Sequence, residues 1–493
     1  MFFIINMLSS NNRYIRRYKI SLTSLPMKKA HLLVFVALLI VVLQSCKSEL
    51  DITNSPDAKL EFSTDTILFD TVFTTVGSVT KRIKIYNRNK SAINISKIDL
   101  IDSTSFAKYR LNIDGFAGNH LRNIEIPAED SIFGFIEMTV KAGASSSSNP
   151  FFVGEQLSFE TNTNVQKIEV LAFGQNAHFF VDSILTGNLT WNDDLPYVIY
   201  GGVLVDTLSS LTINPGVKIY MHNNAIILSK GTIRMNGTLQ DSITIQGDRR
   251  ELQFYNEPGQ WNGIQFLPGS TNNIINHTTI KNSVFGVIVG TFPIYGIQPE
   301  LKITNSIIKY STVTGMYLID GNVRAYNNLV FACGQYALLT QLGGKYDIIH
   351  NTFAQTNSFS TRQTPAVAIT DYLLVNNVPV TDGLDAVFKN NIVTGTLKDE
   401  YFIETKSSST AEVITSFNML KSSKTWPSSN LLNKDPQFKD PSITLSNNYT
   451  ENYRLKPSST LRGKAEYQSS PTELLIDADG VTRVNPSTIG CYE

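Results

Sequence analysis

The chain has 493 residues, long enough for two or three ordinary domains or for one extended solenoid. Its 42 basic and 42 acidic side chains cancel, so the whole-molecule field gives no reason to expect nucleic acid or an anionic membrane surface as a partner. Three cysteines, Cys46, Cys333 and Cys491, are too few for a disulfide scaffold or a multi-cysteine zinc site. Six scattered histidines include no HExxH pair, and no motif requires a cofactor or a metal.

The first element is an export signal. Met27-Lys28-Lys29 precedes an apolar run from Leu32 to Leu43, too short to span a bilayer comfortably, and Gln44-Ser45-Cys46 follows. Leu43-Gln44-Ser45-Cys46 resembles the lipobox of bacterial lipoproteins, and that resemblance implies an acylated Cys46 as the mature N-terminus, tethering the protein to the outer membrane on its periplasmic or its outer side. Residues 1–26 sit awkwardly before the signal and read as a start assigned too far upstream; residues 47–59 read as a polar tether.

From about 60 to 180 the pattern is strand-like. Lys81 to Tyr86 and Phe133 to Val140 alternate, and turn signals fall at Asn87 to Lys90, Asp114-Gly115 and Gly143 to Pro150, which predicts a β-sandwich. Phe69 to Ser78, with Tyr86-Asn87, resembles the immunoglobulin-like modules near the start of bacterial surface lipoproteins, which implies architecture only; the segment shows no nucleophile-base pair, so it reads as a spacer or docking unit.

Residues 181–432 carry a repeat. Lys281-Asn282-Ser283, Thr304-Asn305-Ser306, Tyr326-Asn327-Asn328, Ile349-His350-Asn351 and Lys389-Asn390-Asn391 align at steps of 23, 22, 23 and 40 residues, with a weaker copy at Phe417-Asn418. Two places before each central residue stand Ile280, Ile303, Ala325, Ile348 and Phe388, an inward column for stacked strands. Second strands are predicted at 286–289, 316–319, 336–339 and 366–369. Ser283, Ser306, Asn328, Asn351, Asn391 and Asn418 would form either a hydrogen-bonded ladder along the axis or a set of ordinary turn residues. With Leu211 to Val217, Gly231 to Leu239, Ile243 to Ile245 and Trp261 to Ile264, the stretch from about 190 to 430 resembles the pectin-lyase-like family. That resemblance implies an all-β fold in which a right-handed parallel β-helix follows the sandwich.

The segment 433–493 contains Asp435-Pro436-Gln437-Phe438 and Asn452 to Pro457, and it ends Ile489-Gly490-Cys491-Tyr492-Glu493. It resembles the closing segment of secreted bacterial β-helix proteins, whose final residues usually read Ile-Gly-Ala-Tyr-Glu, and this implies a cover over the open last coil. Asp477 and Asp479 lack the further acids of a calcium loop and read as a solvated turn. Cys333 and Cys491 read as unpaired thiols, although a disulfide is open to them in an oxidising compartment.

The candidate site lies on outward positions. Lys302, Arg324 and Asp347 would stack on successive coils, flanked by a column with Lys281 and Tyr326. Such a surface reads as a plain solvated face, as a non-catalytic site for an acidic polysaccharide, or as the groove of a polysaccharide lyase, which needs a base and a charge-stabilising cation. No acidic run resembles the calcium cluster of pectate lyases, and no facing pair of carboxylates suits a glycoside hydrolase. The reading taken forward is a cell-envelope lipoprotein with a binding or structural role, the alternative being a lyase.

Overall fold

The structure is a computed structural model that describes residues 51–101, 106–143, 149–356, 359–406, 411–442 and 451–493. Cys46 and the lipobox-like sequence before it lie outside the described residues. Apart from one turn of 3-10 helix at Thr472–Leu474, the described chain is all-β.

The N-terminal unit is a sandwich of a five-stranded and a six-stranded sheet. Ser131–Val140 is central to the first sheet, pairing antiparallel with Lys81–Tyr86 and Ala107–Ile113. In the second, Asn164–Gln175 pairs antiparallel with Phe151–Thr161 and parallel with Thr66–Phe73. The inner faces share one core that includes Phe69, Ile85, Ile136, Phe159 and Val170. Alternation along Ser131–Val140 is nearly perfect, as one buried face requires.

A parallel β-helix follows with three strands per coil, so it has three faces. The first face stacks nine strands from Asn188–Trp191 to Ala411–Ser416. The second contains Lys218–Met221, Ile243–Gly247, Thr278–Lys281, Ile307–Ser311 and Leu329–Cys333; the third contains Gly263–Phe266, Phe285–Val289, Thr314–Ile319 and Tyr336–Gln341. Inward columns run unbroken through the stack. On the first face Met235, Ile275, Ile303, Ala325, Ile348 and Phe388 are in register; on the third, Val287, Met316, Leu338 and Val367. All of these are at most 1% exposed and belong to one core. Each large aliphatic side chain so buried contributes roughly 1.5–3 kcal/mol relative to exposure. At the two ends, Trp191 stacks on Tyr197 with 4.4 Å between ring centroids, and Trp426 packs on Tyr401 at 4.8 Å.

Register corrects one part of the sequence alignment. The residue equivalent to Asn305 is His277, not Asn282, because Thr279 pairs with Ile307. Asn282 belongs to the next corner of its coil, beside Tyr310 and Ala332. Both corners have a left-handed residue: His277, Asn305, Asn327, His350 and Asn390 at one, Asn282, Tyr310 and Ala332 at the other. Asparagine tolerates that conformation, so it marks two corners alike.

The asparagine ladder is present, inside the first corner. Asn351 Oδ1 accepts from the Asn328 backbone N–H and Nδ2 at 2.9 Å each, and Asn351 Nδ2 donates to the Ala325 carbonyl at 2.8 Å. The same pattern links Asn351 to Asn391, Asn391 to Asn418 and Asn418 to Asn430. Ser306 starts it, donating its backbone N–H to Asn328 Oδ1. Ser283 is not a member; its hydroxyl meets that of Ser311.

The segment after residue 433 lies along the flank of the coils rather than over the last one. Leu461, Ile489, Cys491 and Tyr492 pack with Tyr310, Phe331, Ala354, Ile392 and Met419, which come from successive coils of the second face. Arg483 is buried, donating to Asn327 Oδ1 at 2.8 Å and to the Gly490 carbonyl at 3.0 Å. His350, fully buried, meets the same carbonyl through Nδ1 and Asn390 Nδ2 through Nε2; burial and the Arg483 charge hold its pKa well below the usual value, so the ring is neutral. Asp477 is a turn, but a buried one: its carboxylate accepts from the backbone N–H groups of Asp479, Val481 and Glu493, while Asp479 pairs with Arg454. Cys333 and Cys491 are both free thiols, one in the solenoid interior and one in the flanking segment where it packs on the coils, and burial pushes each up to about 12.

Candidate functional site

On the outward side of the first face, Arg234, Ile274, Lys302, Arg324 and Asp347 occupy one column on successive coils. The sequence-predicted stacking of Lys302, Arg324 and Asp347 is therefore the stacking observed. Arg234, Lys302 and Arg324, together with Asn272, Glu300 and Asn322, line a surface cleft of about 270 Å³. Its floor is formed by strand backbone and Ile274. Its lining carries three cations, three asparagines and one carboxylate.

These cations differ in availability. Lys302 donates to Glu473 at 2.7 Å, which the flanking segment brings across the face, and the ammonium holds the Glu473 carboxyl below its usual range. Arg324 is exposed and Arg234 half-buried, and neither has an ion-pair partner among the described residues. An unpaired guanidinium on either side of a paired ammonium leaves net positive charge in the cleft.

Two predicted members fall elsewhere. Tyr326 points outward from its strand as expected, but it is 2% exposed beneath Leu474 and packs with Ile349. Burial and Asp347 push its hydroxyl far above the usual tyrosine range, so it offers neither a free ring face nor a base. Lys281 is on the second face, where it pairs in register with Lys309 rather than with Thr304. Asp347 adjoins the cleft and faces Tyr326. Arg234 was missed, although Gly231-Thr232-Ile233-Arg234-Met235 carries the signal: its alternation places residue 234 outward, in the same column two coils before Lys302.

Fold and site together define a protein of two all-β units, a sandwich and a parallel β-helix with a basic cleft on its first face. No family model matches the chain, and no curated protein matches it in sequence. Among solved structures, the catalytic unit of a GH87 α-1,3-glucanase from Streptomyces thermodiastaticus strain HF3-3 matches 69% of this chain and 73% of its own at 8% identity, with a TM-score of 0.29. A family 123 glycoside hydrolase from Clostridium perfringens and the periplasmic chaperone SfaE each match at 10% identity with a TM-score of 0.16. This chain spans 25% of the first of these two and 58% of the second.

Proposed function

We propose that the protein is a cell-envelope lipoprotein, anchored through Cys46 to the outer membrane, that binds an acidic polysaccharide without processing it. The supporting observation is the first-face cleft, where Arg234 and Arg324 flank Lys302 and have no carboxylate of their own. A guanidinium offers a planar fork for a uronate carboxylate, and successive rungs about 4.8 Å apart suit neighbouring groups on an extended chain. Tyr326 takes no part, so sugar-ring stacking is not a feature of this binding.

Two results are expected. Arg324→Ala should weaken binding to uronate-containing oligosaccharides roughly tenfold, the scale of one charge-assisted contact, and raised salt should weaken the parent as well. Titration calorimetry across a panel of acidic and neutral glycans measures this; equal affinity of parent and variant would remove the cleft from the account. Unsaturated products appearing in the same mixtures, seen as rising ultraviolet absorbance, would favour the lyase instead. For the anchor, mass spectrometry of the membrane fraction should find Cys46 acylated at the N-terminus. An unmodified Cys46 inside a longer N-terminal peptide is the contrary outcome.

A further inference from the structure

A second basic cleft, of about 310 Å³, lies on the second face and is lined by Lys218, Tyr220, Gln246, Arg250, Tyr255 and Lys281, with Arg249 at its edge. It is built by the loop from Asp248 to Gly259, which leaves the coil and folds back over the sheet. Asn282 Nδ2 clamps that loop by donating to the carbonyls of Tyr255 and Glu257 at 3.1 and 2.9 Å, and Gln260 Nε2 donates to those of Phe254 and Glu257. Tyr220 forms the opposite wall. It is fixed by Phe73 of the sandwich, with 5.1 Å between ring centroids.

The charges in this cleft are unbalanced. Its lining holds four basic side chains and no carboxylate. Only Arg249 has an acidic partner, Glu251 at 3.2 Å, while Lys218, Arg250 and Lys281 have no ion pair among the described residues. Lys281 is only 3% exposed, yet its ammonium position is met by nothing more than the Tyr255 ring, 3.3 Å from the centroid, and the Tyr255 carbonyl at 3.3 Å. A buried lysine without a counter-ion is costly to a fold, and one that lines a cleft of basic side chains is a place for an anion to dock.

We propose that this cleft is a binding site for a sugar-borne oxyanion, a carboxylate or sulfate ester, held between Arg250 and Lys281 with the sugar ring against the exposed Tyr255. The inference does not rest on the first-face cleft, because the two share no residue. Lys281 also makes the site sensitive to pH. Burial, with Lys309 on the next coil adding repulsion and Glu451 from the flanking segment opposing it, lowers its pKa to about 7. Lys309 is itself paired with Glu451 at 3.0 Å, and Lys218, Arg249 and Arg250 are the remaining charges facing the cleft. Above neutral pH the amine is largely uncharged in the free protein, so an arriving anion must bring a proton with it.

The test uses the full chain with glucuronic acid, glucose 6-sulfate and glucose as probes in titration calorimetry. Both anionic sugars should bind and glucose should not, with proton uptake on binding and affinity falling as pH rises from neutrality towards 9. Arg250→Ala and Lys281→Met should each weaken binding roughly tenfold. Lys281→Met should also melt higher than the parent near neutral pH, since an apolar isostere removes a buried charge. In an Arg324→Ala background, where the first-face cleft is already weakened, the losses from Arg250→Ala and Lys281→Met should persist, which separates the two clefts. Failure of both anionic sugars to bind, binding lost only in Arg324→Ala, or binding unchanged in Lys281→Met and Arg250→Ala would each overturn the proposal.

Discussion

Ile303→Asp is expected to unfold the solenoid while leaving the sandwich folded. Ile303 is fully buried between Ile275 and Ala325 in the inward column of the first face, inside a core that runs the whole length of the stack. The substitution removes roughly 2–3 kcal/mol of apolar burial. It also places a carboxylate where no cation is near, which takes the total beyond about 4 kcal/mol, the range that few single substitutions reach. The sandwich has a separate core, so scanning calorimetry should lose or sharply lower one transition and keep the other. A variant melting within a few degrees of the parent would mean that residue 303 does not point inward.

The second large effect is expected at Asn351. Leucine has nearly the same shape, but Asn351→Leu strands the Asn328 backbone N–H, one N–H of the Asn328 side-chain amide and the side-chain bond to the Ala325 carbonyl, all buried. At about 1–3 kcal/mol for each unsatisfied group, the loss is about 3–9 kcal/mol. The exposed pair Asn214 and Asn192 makes a similar amide contact at 2.8 Å, yet Asn214→Ala should cost under about 1 kcal/mol because water replaces the partner. Chemical denaturation of the two variants compares these directly. Equal midpoints would show that the inner asparagines act only as turn residues.

Much of this architecture was legible because a β-helix writes its register into the sequence. Ile303, Ala325, Ile348 and Phe388 recur at the spacing of the coils, and the structure puts all four in one column. The failure at Lys281-Asn282 is instructive. Residues 290–299 lengthen that coil, so the true step to Asn305 starts at His277 and is 28 residues long; five residues separate the two corners, and the shortened step of 23 from Asn282 mimics a regular coil. Lys281 was thereby moved to the wrong face. Spacing alone cannot tell two corners apart when both favour asparagine.

The candidate site was legible only as far as strand alternation reaches. That Lys302, Arg324 and Tyr326 all point outward follows from their parity with Ile303 and Ala325. That Leu474 covers Tyr326 and Glu473 reaches Lys302 depends on contacts across about 150 and 171 residues of chain respectively, and no local pattern encodes them. The flanking segment decides which outward residues remain free.

The most direct measurement is a crystal structure of the protein soaked with a uronate oligosaccharide. The account predicts sugar carboxylates beside Arg234 and Arg324 in the first-face cleft, with the Tyr326 ring still covered by Leu474. An oligosaccharide absent from that cleft at saturating concentration, or ordered there with no carboxylate near either guanidinium, would contradict it.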